Sequence, residues 1–140
     1  MASSETQNYA LPQWAADDRI MREEFNGAMA TIDSALHSKP ELVFGTYTGN
    51  GAASRTISLG FTPKAVLVTA SSGLVGYEAS GKIYHYGGLA LANAPTSISG
   101  QNVLAVVNGG FSVRNTGDSG DAMKIASNLN GTLYHYMAVR

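Results

Sequence analysis

Between Trp14 and Leu36 the apolar residues recur in steps of four and three: Met21, Phe25, Ala28, Ile32 and Ala35, with Met29 and Leu36 widening the stripe. That spacing predicts an amphipathic helix over about 17–37, roughly 30 Å long at 1.5 Å per residue. Asp17 or Asp18 stands where a helix N-cap belongs, and Lys39-Pro40 ends the run. From Leu42 onward the pattern changes to alternation and short apolar runs. Strands are predicted over 42–48, 54–60, 65–71, 75–79, 82–87, 89–93, 97–100, 102–108, 110–115, 122–127 and 132–139. Turn residues separate them, among them Thr48-Gly49-Asn50-Gly51, Asn108-Gly109-Gly110 and Asn130-Gly131. AVLVTAS and NVLAVVN are apolar on both faces, as central strands are. The expected fold is mainly β: an N-terminal helical segment, 1–40, then an antiparallel β-sandwich of jelly-roll type, 41–140.

The helix stripe has two readings. The helix packs on its own domain, or Met21, Phe25, Ala28, Met29, Ile32 and Leu36 form a seam between copies of the chain. The 3.5-residue spacing favours the seam.

Composition narrows the function more by exclusion than by indication. The chain has 140 residues and a formal net charge of −1, and only 14% of its residues are charged. Six charges crowd into residues 17–24 (DDRIMREE), leaving the β region polar mainly through Gly, Ser, Thr and Asn. No run of Lys and Arg offers the electrostatic footprint of a nucleic-acid binder. With no cysteine, disulfides, thiolate metal sites and a cysteine nucleophile are all excluded. The opening MASSETQNYALPQWAADD has neither a basic start nor an apolar run, so no secretory signal is expected. No stretch reaches the ~18 apolar residues of a membrane helix, so no membrane insertion is expected.

Candidate chemistry is sparse. Of His37, His85 and His135, no two stand at metal-ligand spacing. His85 or His135 would bind a metal only by meeting its own copies at a three-fold axis. No strand–turn–helix surrounds a serine, and no glycine-rich loop is followed by a helix bearing a Lys. After residue 40 the acids are Glu41, Glu78, Asp118 and Asp121. Asp118 and Asp121 share one loop, which reads as a solvated turn or a weak calcium site. No enzymatic activity and no cofactor are expected. The tyrosines carry more information. Segments Ile83-Tyr84-His85-Tyr86 and Leu133-Tyr134-His135-Tyr136 each begin two residues after a glycine, and are expected to be equivalent closing strands. In each, strand alternation places both tyrosines on one face and the histidine on the other. Tyr77, Tyr84, Tyr86, Tyr134 and Tyr136 either complete a core or subunit interface, the favoured reading, or offer flat faces to a sugar.

Two stretches carry a resemblance. NYALPQWAADDRIMREEFNGAMATIDSAL resembles the leader of small structural proteins of tailed phages and prophages, and FGTYTGNGAASRTISLGFTPKAVLVTAS resembles the opening of their β-rich tips. The terminal GTLYHYMA is similar to the end of such tips. The resemblance implies a virion protein assembled in the host cytoplasm: a short tail fibre, head fibre or decoration protein. It implies a homotrimer whose residues 1–40 attach to other virion proteins and whose tip binds a bacterial surface glycan. At 140 residues there is no room for a long shaft. The competing expectations are a capsid decoration protein with no receptor role and a carbohydrate-binding module.

Overall fold

The computed structural model describes residues 1–117 and 120–140. The chain divides into two compact units, Met1–Pro40 and Glu41–Arg140.

The first unit holds a two-stranded ribbon, β1 (Ser4–Glu5) and β2 (Pro12–Gln13), followed by helix α1 (Arg22–His37). The helix begins five residues later than the charge pattern predicts, and neither Asp17 nor Asp18 caps it. Met21 is the N-cap residue, in an extended conformation with no side-chain cap. The carboxylate of Asp18 is engaged elsewhere. It accepts from the Ser3 amide (2.9 Å), the Ser3 hydroxyl and the Ala15 amide (2.8 Å). These bonds hold the Asp18 carboxyl below the usual carboxylate range, the Ser3 hydroxyl contributing most. Glu24, in the first turn, accepts from the Ala2 amide and from the Trp14 indole at 3.1 Å. The acids that read as helix-start signals therefore tie the leader down. Glu23 and Glu24 at one end and His37 at the other still suit the helix dipole. Along the stripe, Ala28 is buried and Ile32 and Ala35 are half-buried, while Phe25, Met29 and Leu36 are 46%, 47% and 63% exposed. Tyr9, in the ribbon's loop, faces Ile32, Ala35 and Leu36 across a small cavity of about 120 Å³. One edge of the stripe is covered within the unit and the other lies open.

The second unit is built from strands, most of them paired antiparallel. In chain order they are β3 (Leu42–Thr48), β4 (Ser54–Ser58), β5 (Ala65–Ala70), β6 (Gly76–Ala79), β7 (Lys82–His85), β8 (Gly88–Leu91), β9 (Thr96–Ile98), β10 (Gln101–Val107), β11 (Gly110–Arg114), β12 (Met123–Ile125) and β13 (Leu133–Val139). Each falls within a residue of, or inside, its predicted segment. Three sheets result, with strand orders β3-β13-β5-β8, β4-β11-β10-β9 and β12-β7-β6. As the apolar runs indicated, β5 and β10 are interior strands. In the third sheet β12 runs parallel to β7, so an all-antiparallel arrangement does not hold there.

One core cluster draws on both four-stranded sheets. Tyr47, Val66, Val68, Ala90, Tyr134 and Ala138 come from the first, and Ile57, Leu104, Phe111 and Val113 from the second. Each fully buried aliphatic or aromatic side chain here contributes about 1.5–3 kcal/mol. The rings of Tyr47 and Tyr134 stack at 4.8 Å, and Phe111 meets Tyr47 and Tyr136 edge-on at 6.0 and 5.2 Å. Gly45 lies directly opposite Tyr136, and a Cβ there would collide with the Tyr136 ring tip, so any side chain at this position displaces that ring. Ser127 and Asn128 are buried with every bond accounted for. The Ser127 hydroxyl donates to the Val103 carbonyl (2.6 Å) and accepts from the Arg114 amide (2.8 Å). The Asn128 amide group donates to Asn50 Oδ1 (2.7 Å) and to the Ala52 carbonyl (2.9 Å).

Candidate functional site

The two Tyr-His-Tyr segments are not equivalent. β13 lies in the interior of a four-stranded sheet, whereas β7 is the middle of the separate three-stranded one and Tyr86 lies just beyond its end. Tyr134 is fully buried. Its hydroxyl donates to the Ala126 carbonyl and accepts from the Leu129 amide at 3.0 Å. Tyr136 packs on Phe111. Both are removed from the set of candidate sugar platforms, because their faces are spent on the core.

Tyr77, Tyr84 and Tyr86 remain, and the structure brings them together. Tyr77 lies opposite Tyr84 in the β6–β7 pair, and the Tyr84 and Tyr86 rings lie nearly parallel with centroids 6.4 Å apart. Tyr77 and Tyr86 line an open cleft of about 230 Å³ with Ser71, Ser72, Leu74 and Thr132. The turn after β5 forms one wall. It closes through the Gly73 amide on the Ala70 carbonyl (2.8 Å) and the Ala70 amide on the Leu74 carbonyl (2.9 Å), with Gly73 at φ +84°. The Tyr86 amide donates to the Val75 carbonyl (2.8 Å) and joins that wall to the tyrosines. Tyr77 is 53% exposed. A phenol face beside three hydroxyl groups is the chemistry that recognises a saccharide: stacking on C–H faces and hydrogen bonds to hydroxyls. Among the described residues no charged side chain lines the cleft. Ser71, Ser72 and Thr132 escaped the sequence reading because they come from two turns far apart in the chain.

A larger cavity of about 470 Å³ lies between β9, β10 and β12, lined by Ile98, Gln101, Thr116, Asp121 and Met123 among others. Among the described residues Asp121 is the one acid that lines it. The expected calcium pair with Asp118 cannot be placed, since Asp118 lies outside the described residues.

The histidines stand on three different elements or their ends. His135 is exposed on the outer face of β13, His37 sits in the last turn of α1, and His85 is half-buried with its Nε2 enclosed and unpartnered. Among the described residues no three His, Asp or Glu side chains gather as metal ligands. Burial pushes up the phenols of both Tyr47 and Tyr134. Both are core groups. Among the described residues no helix is long and apolar enough to cross a membrane. No protein-family model matches the chain, and no curated protein or solved structure matches it significantly.

Proposed function

We propose that this chain is a non-enzymatic structural protein of a phage virion, a short fibre or appendage that assembles as a homotrimer and displays a β tip toward the host surface. The observation that carries the reading is the open edge of the α1 stripe. Phe25, Met29 and Leu36 are about half exposed or more on a short helix that belongs to a unit distinct from the β region. Exposed large apolar side chains in one row call for a partner, and three copies of the same seam supply one. The resemblance of residues 8–36 to phage leaders points the same way. In this reading the two four-stranded sheets are the faces of a jelly-roll-like sandwich, since their side chains share one core. Residues 1–40 attach to other virion proteins, and the low charge of the remainder suits an exposed tip.

The Tyr77–Tyr86 cleft supports the further element, recognition of a surface glycan. It equally favours a second reading, a carbohydrate-binding module with no particle. Mass spectrometry of purified phage particles from the encoding strain separates the two. The chain is expected in stoichiometric amounts with capsid and tail proteins. Its absence from the particles overturns the virion reading and leaves the module.

A further inference from the structure

The outer face of the sheet β3-β13-β5-β8 does not look like a solvated surface. In strands with one wet face, apolar residues alternate with polar ones. Here the inward positions are apolar, and the outward positions at one end are apolar too. The register sets them in two rows that cross all four strands: Phe44–Met137–Leu67–Leu89 and Leu42–Val139–Ala65–Leu91. Phe44 is 69% and Leu89 57% exposed, and Leu42 and Leu91 are about half exposed. The third row, Thr46–His135–Thr69, returns to polar residues. None of the eleven residues in these rows is Asp, Glu, Lys or Arg. The corresponding face of the other four-stranded sheet behaves normally: Ser54, Thr56 and Ser58 of β4 are exposed and polar, and Thr56 lies beside Ser112.

We propose that the two apolar rows are a contact surface between copies of this same chain. Three observations favour a second copy over a foreign partner. The exposed area of the eight side chains is on the order of 500 Å², below the ~800 Å² per partner of a stable interface. Such a face is insufficient by itself and sufficient when something else gathers the copies. The chain supplies that something a few residues away in sequence. Residues 38–41 alone separate α1 from Leu42, a tether of at most about 18 Å. Helices associated through Phe25, Met29 and Leu36 therefore hold these faces at high effective concentration. The face also lacks formal charge, so identical copies meet without repulsion. The inference rests on the oligomeric reading of α1, and it adds a second surface.

The absence of cysteine permits a clean test in the full chain. Single-cysteine variants Phe44→Cys and Leu89→Cys are treated at low concentration with a short bifunctional maleimide, with Thr56→Cys on the other sheet as control. Covalent dimers are expected from Phe44→Cys and Leu89→Cys at about tenfold or more the yield from Thr56→Cys. Equal yields at all three positions overturn the proposal. In parallel, Phe44→Glu combined with Leu89→Glu is expected to weaken self-association about tenfold or more while the melting temperature of the β unit holds. Unchanged association also overturns it. A trimer by mass that fails to cross-link at the face removes this surface and leaves the helix seam. Face cross-links in a protein missing from particles remove the virion reading and leave this one.

Discussion

Tyr47 and Tyr134 show how a residue type that suggests binding can be wholly structural. Their rings stack in the core, and their hydroxyls donate to the adjacent carbonyls of Ser127 and Ala126. Both phenols are pushed up, first by burial, with the Tyr134 charge adding to the effect on Tyr47. The sign of the pH dependence follows. Below the ordinary phenol value of about 10 both states of the protein carry neutral tyrosines and the stability is complete. Above it the unfolded chain releases protons that the folded core retains, so stability falls as pH rises. Chemical denaturation between pH 8 and 11 is expected to show this loss. Tyr47→Phe is expected to reduce it, leaving the Tyr134 part, and to cost about 1–3 kcal/mol at neutral pH, because the Ser127 carbonyl is left without its donor. A wild-type profile that is flat to pH 11 would contradict the assignment. Alternation along the sequence told correctly which tyrosines share a face. It was silent on which face is the core, because that depends on the sheet packed against it.

At the level of elements, the strands were legible and the helix start was not. Strands β3 to β13 are short and bounded by Gly, Asn, Ser and Pro, so local chemistry marks their ends. The acids before α1 misled because an Asp ahead of an apolar run looks the same whether it caps the helix or binds a distant amide. Only Ser3 and Ala15, folded back onto Asp18, distinguish the two. The parallel pairing of β12 with β7 was equally invisible, since pairing direction is a property of the assembled sheet. The cleft of Tyr77 and Tyr86 was half legible: the aromatics drew notice, and the hydroxyl residues facing them did not. The open edge of α1 yields its own prediction. Phe25→Asp places a charge in the seam at a position exposed in the single chain, so the fold should survive while association does not. Light scattering is expected to fall from the trimer mass to the monomer mass; a variant that keeps the wild-type mass shows that another surface joins the copies.

The whole molecule is two units. Every member of the core cluster lies after Pro40, so the β unit owes none of its core to the leader. Removal of residues 1–40 is therefore expected to leave a cooperatively folded 41–140 fragment with native near-ultraviolet dichroism and sharply weakened association. A fragment that loses its near-ultraviolet signal would show that the leader is needed for the fold itself. The apolar rows of the first sheet and the polar face of the second give this unit two unlike sides, one suited to burial among copies and one to water.

The interior position of β13 also sets a timetable. Among the described residues β3 hydrogen-bonds to no other strand, and Tyr47 reaches its carbonyl partner 80 residues further on. On the ribosome β3 therefore waits through the synthesis of nearly every other strand before β13 exists. Contacts so distant in sequence also form slowly. The leader, whose contacts are local, is complete long before. Under the proposed helix association, copies of the chain would be gathered by their helices while their sheets are still unfinished. Until β13 is made, β3 is an unpaired, partly apolar edge with which another chain can pair.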